Sequence, residues 1–198
     1  MTISVKIVIA LLCLCYIIPL VGIIRPRGNE NGKLLVLLQM DKKSPSLSEA
    51  KQKLEHYCAY QERCHQEVAS KLYALGLNSN DSDEVIVHLI NQNFLNETRF
   101  AATFARGKHR IKSWGRNRIV NELKSRHISS YNIKTALQEI SPDEYMETFD
   151  KTAVRHWESL PEGDTIKKRK KFCDYLLRKG FESDLVYEKV KEFEKTTS

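Results

Sequence analysis

Residues 118–140 read Arg118-Ile-Val-Asn-Glu-Leu123-Lys-Ser-Arg-His-Ile128-Ser-Ser-Tyr-Asn-Ile133-Lys-Thr-Ala-Leu137-Gln-Glu-Ile140. Their apolar residues follow helical spacing on both sides of a break at His127, and Ser129 or Ser130 can cap the second helix. The same frame occurs twice more. With Ile128 as reference, Leu77 stands 51 residues before it and Phe181 53 residues after. Nine before each reference lie Val68, Ile119 and Phe172, and five before lie Leu72, Leu123 and Leu176. Nine after come Ile86, Leu137 and Val190, and twelve after come Leu89, Ile140 and Phe193. Five after are Ser82, Ile133 and Val186, so only Ser82 departs from the pattern. Amphipathic helices share spacing by chance. Register kept across a turn in three copies marks a tandem repeat.

Working outward, each copy reads as three helices. The leading helices are predicted at 47–61, 96–112 and 142–160. The second helices end at Gly76, His127 and Gly180, where a left-handed residue suits a helix C-terminus. Ser141-Pro142-Asp143-Glu144 supplies a cap, a proline that loses no hydrogen bond and a reciprocal glutamate, and Ser46 to Glu49 has the same spacing. Asn96 and Ser183 are further cap candidates. No alternating strand pattern longer than a few residues occurs. The expected fold is all-α, with three tandem three-helix, helix-turn-helix-like repeats at 40–94, 95–140 and 141–198 stacked end to end.

The chain has 198 residues, a formal charge of +7, 41% hydrophobic and 29% charged residues. With only 8 Gly, 5 Pro and 5 Cys, collagen-like, Pro/Gly-rich disordered and disulfide-scaffold classes are excluded. The apolar residues are uneven, because residues 1–39 form an apolar extension with an uncharged run from Ile7 to Ile24. As a helix that run would rise about 27 Å, just short of a hydrocarbon core. Three readings stay open. Met40 opens a polar, helix-ready stretch, as a true start would. The run could instead be a signal anchor, with Arg25, Arg27 and Lys33 outweighing Lys6. Export is opposed by the lack of a small-x-small cleavage pattern. A membrane partner is expected only if residues 7–24 are retained.

Leu95-Asn-Glu-Thr-Arg99-Phe100-Ala101, followed by Gly115-x-x-Arg118-Ile119-x-x-Glu122-Leu123, resembles the central segment of the RecX regulatory family. Glu62-Arg63-Cys64-x-x-Glu67-Val68-x-x-Lys71-Leu72 is similar to its first-repeat signature, and Gly180-Phe181 to its third. Cys64 stands where serine is usual, and His127 where glycine is common. The resemblance covers about residues 46–194 and implies that the three repeats form an elongated curved array. It implies a modulator, mostly an inhibitor, of the RecA recombinase filament in DNA repair, homologous recombination and the SOS response. It also implies some binding of single- or double-stranded DNA. No small-molecule substrate, cofactor or metal follows from it, and the protein is expected to be a monomer.

Two cationic segments could serve such partners. Arg106, Lys108, Arg110, Lys112, Arg116 and Arg118 place six cations in thirteen residues with no acid among them, and Trp114 sits inside the run. Lys167-Lys168-Arg169-Lys170-Lys171 is the second. Attraction to phosphates through them would be sequence-tolerant and salt-dependent. A solvated basic face is the alternative, as is a packed anchor for Trp114 in place of a base-stacking one. The helix-turn-helix likeness leaves a DNA-binding transcriptional regulator as the second functional reading.

No enzyme is expected. Gly28 to Lys33 has P-loop character, but its glycine spacing is one residue short and Leu34 replaces the Ser/Thr needed at magnesium. Neither a His-Glu-x-x-His pair nor a Gly-x-Ser-x-Gly elbow occurs. His56, Cys58, Cys64 and His65 match no common zinc spacing. Cys58, Cys64 and Cys173 fit reduced thiols in a cytoplasmic protein.

Overall fold

Among the described residues, 44–163 and 165–197 of a computed structural model, there are nine α-helices and no strands. They are α1 (Leu47–Tyr60), α2 (His65–Ala74), α3 (Ser79–Asn91), α4 (Glu97–Lys112), α5 (Arg116–Ser125), α6 (Ser130–Gln138), α7 (Pro142–Ser159), α8 (Thr165–Lys179) and α9 (Ser183–Thr197). The 1–39 extension, with its Ile7–Ile24 run and the Met40 start, lies outside the described residues.

The caps explain where the helices begin. Ser46 Oγ accepts from the Glu49 amide and Glu49 Oε2 accepts from the Ser46 amide, a reciprocal pair at the start of α1. Asn96, Ser129 and Ser141 accept from the amides of Arg99, Asn132 and Glu144, so α4, α6 and α7 start as the sequence predicts. Ser183 is instead the first residue of α9, inside the helix and not its cap.

The turns explain the repeat. Gly76, His127 and Gly180 all have positive φ, at 80°, 59° and 92°. Leu77, Ile128 and Phe181, the three reference positions, donate their amides to the carbonyls of Leu72, Leu123 and Leu176 at 3.3, 3.1 and 3.2 Å. Gly76, His127 and Gly180 donate to Tyr73, Lys124 and Leu177, each at 2.9 Å. Each second helix therefore ends in the same two-bond left-handed closure, with the reference residue as its apolar contact. His127 takes this conformation despite its Cβ, which histidine does more readily than most residues.

The core is divided. Ala50, Leu54, Val68, Leu72, Val85 and Leu89 form the core of α1–α3. Helices α4–α9 share a second core that includes Phe100, Ile119, Leu123, Phe149, Phe172 and Phe181. Cys64 at the start of α2 is buried in this second core, so it plugs the first repeat into the second.

Candidate functional site

The two glycines of the family pattern meet each other. Gly115, the N-cap of α5, donates its amide to the Lys179 carbonyl at 2.9 Å, and the Asn117 amide bonds the Gly180 carbonyl at 3.0 Å. A Cβ on Gly115 would stand 2.2 Å from the Gly180 carbonyl oxygen, and one on Gly180 2.4 Å from the Arg118 nitrogen. The free donors at the start of α5 thus meet the free acceptors at the end of α8, with opposite dipole ends facing. Arg118 Nη1 donates to the Arg178 carbonyl at 3.2 Å, and Lys179 Nζ donates to the Lys112 carbonyl at 2.7 Å.

Aromatic side chains flank this clasp. Tyr145 is buried, donates its hydroxyl to Glu182 and accepts from the Arg116 amide at 3.3 Å. Burial and the hydrogen bond to Glu182 push its phenol well above the ordinary tyrosine range. The Arg116 guanidinium lies 3.9 Å from the centre of the Tyr145 ring and 3.7 Å from Glu182. His109, also buried, stacks on Tyr145 and donates Nδ1–H to the Trp114 carbonyl at 2.9 Å.

Of the other family-pattern residues, Phe181 packs on Tyr145 and Phe149 in the core, and Arg63, Arg99, Phe100 and Ala101 stand near the junction of the first and second repeats. Arg99 reaches Glu62 through Nε, and its Nη atoms donate to Asn93 Oδ1 at 3.1 Å and to the Asn93 carbonyl at 2.9 Å, closing the end of α3. Phe100 and Ala101 are core residues beside it. Arg63 stacks on Tyr57 at 4.1 Å and approaches Glu67. Among the described residues no backbone clasp like that of Gly115 and Gly180 joins α2 to α5, and the matching positions are Cys64 and His127.

Most of the cations expected to bind a partner have partners within the fold. Arg106 pairs with Glu139, and Arg110 makes a two-pronged bond to Glu144 at 2.6 and 3.2 Å. That bond holds the Glu144 carboxyl below its usual range and raises the guanidinium further. Lys108 and Arg118 take up positions over the Trp114 ring, at 5.2 and 4.1 Å. Trp114 is half-buried against Phe104 and the core, so its packing role is realised. Lys168 lies over Trp157 at 4.6 Å, and Arg169 pairs with Glu194 at 3.8 Å. Lys112, Lys170 and Lys171 are exposed, with no side-chain partner among the described residues. Lys167 is exposed as well.

Two cations near the first segment escape a search for runs. Arg155 has no cation beside it in sequence and Lys179 has only Arg178, yet both line one groove with Lys112. The available sequence signal is the place of Lys179 in the last turn of α8, where cations complement a helix end; Arg155 stands just before the last turn of α7.

His56, Cys58, Cys64 and His65 do not assemble. Cys58 and Cys64 are buried free thiols, His65 bonds Glu97 at 2.7 Å, and no metal-holding group of three occurs among the described residues. Burial pushes all three body thiols up, away from reactivity. No helix among the described residues is long and apolar enough to cross a membrane.

Comparison with known proteins agrees with the repeat geometry. The family model for the second three-helix domain of RecX matches residues 96–137, and that for its third three-helix domain matches residues 143–190. The regulatory protein RecX of Prosthecochloris aestuarii is 26% identical over 136 residues, covering 69% of this chain and 87% of that protein. That of Leuconostoc mesenteroides is 26% identical over 119 residues, covering 60% of this chain and 45% of the relative. The chain spans 45% to 64% of the length of the first curated relatives it matches. In fold, the crystal structure of RecX from Lactobacillus salivarius superposes with a TM-score of 0.64 at 23% identity, over 75% of this chain and 96% of that one. With the three identical helix closures and both domain matches in register, the chain belongs to the RecX family of regulatory proteins.

Proposed function

We propose that this chain binds RecA recombinase filaments and modulates them, mostly by inhibition, in homologous recombination and DNA repair, with DNA binding as a secondary activity. Membership of the RecX family carries this reading. The protein would act without catalysis and as a monomer. Its three repeats, 40–94, 95–140 and 141–198, would each contribute modest affinity to neighbouring recombinase subunits, and multivalency would make the whole tight. The clasp between Gly115 and Gly180 supports such a role, because a fixed relation between the second and third repeats lowers the ordering cost of engaging two subunits at once.

Of the two cationic segments, Lys112, Lys167, Lys170 and Lys171 offer exposed charge outward. The remaining cations (Arg106, Lys108, Arg110, Arg116, Arg118, Lys168 and Arg169) would assist by holding the surface that carries them. Such charge speeds encounter with a nucleoprotein and adds salt dependence. The test is co-sedimentation of the full chain with recombinase filaments on single-stranded DNA. Stoichiometric pelleting with filaments, beyond that with DNA alone, is expected. Pelleting that does not exceed the DNA-only level would overturn the filament reading.

A further inference from the structure

The C-terminal parts of α4, α7 and α8 line a groove of about 390 Å³ whose nine lining residues include no acid. Lys112 from α4, Arg155 from α7 and Lys179 from α8 all line it, with Ser113, Thr152 and Ser159 supplying hydroxyls. Three helix ends explain part of this charge, since each carries about half a negative charge. They do not absorb it all. Three cations against about one and a half opposing charges leave the groove positive. Lys179 is held in place by its bond to the Lys112 carbonyl at 2.7 Å, which leaves two of its three N–H donors. The carbonyl ends of α8 are already taken by the Gly115 and Asn117 amides, so they do not compete for these cations.

Lys112 and Arg155 have no hydrogen-bond or ion-pair partner for their charged groups among the described residues. Arg155 also borders a shallow depression with Asp150 and Glu158, yet pairs with neither. At the rim Ile111 is 78% exposed, and Tyr175, stacked on His156, gives a second nonpolar wall. Paired guanidinium and ammonium donors around hydroxyls, beside apolar surface, suit a chain of phosphates joined by sugars and bases. An acidic protein surface would use the charges but leave Ile111 without a matching role.

We propose that this groove, formed by Lys112, Arg155 and Lys179, holds the phosphodiester backbone of a nucleic-acid strand. The assignment rests on the DNA-binding part of the reading above and gives it a place. Arg155 supplies the two-pronged contact to one phosphate, Lys112 and the fixed Lys179 neutralise the next, and Ile111 lies against the sugars or bases.

Fluorescence anisotropy of a labelled thirty-nucleotide oligo(dT) with the full chain, without recombinase, tests it. The double variant Lys112→Glu with Arg155→Glu should bind at least tenfold more weakly than the parent at low salt. The neutral pair, Lys112→Gln with Arg155→Gln, should lose about threefold and lower the slope of log affinity against log salt by about 1.4. It also keeps the test informative if charge reversal disturbs folding. Lys53→Glu with Lys191→Glu, the same charge change elsewhere, should cost less than twofold. If both groove variants bind within twofold of the parent, or lose no more than the Lys53 and Lys191 control, the groove is not the site. If the parent itself fails to bind the oligonucleotide, the nucleic-acid reading falls and the groove with it. Should the groove variants keep oligonucleotide affinity but lose co-sedimentation with recombinase filaments, the groove takes protein instead. That result overturns this proposal while leaving the filament reading intact.

Discussion

Gly115 lies against Gly180 so closely that a methyl group on the first would stand 2.2 Å from the carbonyl oxygen of the second. Two helix ends of opposite polarity share hydrogen bonds there, and any side chain would separate them. Gly115→Ala and Gly180→Ala should each destabilise by about 2 to 4 kcal/mol, because backbone, not a pliable side chain, must move. Gly180 also has φ of 92°, which adds strain for any other residue. Gly107 is the internal control: it sits inside α4 with nothing within 4 Å of a built Cβ. Gly107→Ala should be stabilising by about 0.5 to 1 kcal/mol in urea unfolding.

Tyr145→Phe removes a buried hydroxyl that bonds both Glu182 and the Arg116 amide. The expected loss is about 1 to 3 kcal/mol, most of it from the buried groups left without a partner. The raised phenol has a second consequence. With the folded value above the unfolded one, stability is full below about pH 10 and declines as pH rises past it, since the unfolded chain loses its proton first. Ultraviolet titration at high pH should show a late-ionising tyrosine that disappears in the Tyr145→Phe protein.

His156 stacks on Tyr175 with ring centres 3.8 Å apart, and burial lowers its pKa below the ordinary histidine range. The sign is opposite to that of a histidine gaining an acidic partner. The unfolded chain takes up the proton first, so stability is full above about pH 6.5 and falls as pH drops through the depressed folded value. Urea midpoints measured from pH 7.5 to 5 should decline more steeply for the parent than for His156→Phe, which keeps the stacked ring and loses the titration.

The helices and their order were legible because their signals are local. A serine cap three residues before a glutamate, or a left-handed residue followed by an apolar one, is complete within six positions. Leu77, Ile128 and Phe181 stood out as reference points because each closes the same two-bond turn. The clasp was not legible. Gly115 and Gly180 were both recognisable as pattern residues, but nothing in the chain states that they touch across 65 positions. The cations illustrate the same limit. Arg110 and Lys112 look alike in a basic run, yet one is bound to Glu144 and the other points outward. Arg155 and Lys179 were missed because proximity, not spacing, joins them to Lys112.

The central claim is regulation of the recombinase. Its most direct measurement is the steady-state rate of ATP hydrolysis by RecA on single-stranded DNA, with the full chain titrated in and strand exchange followed in parallel. The account predicts a dose-dependent fall in both, complete at substoichiometric or near-stoichiometric ratios and weakened by rising salt. Unchanged hydrolysis and exchange, at concentrations where co-sedimentation shows the filament saturated, would contradict it.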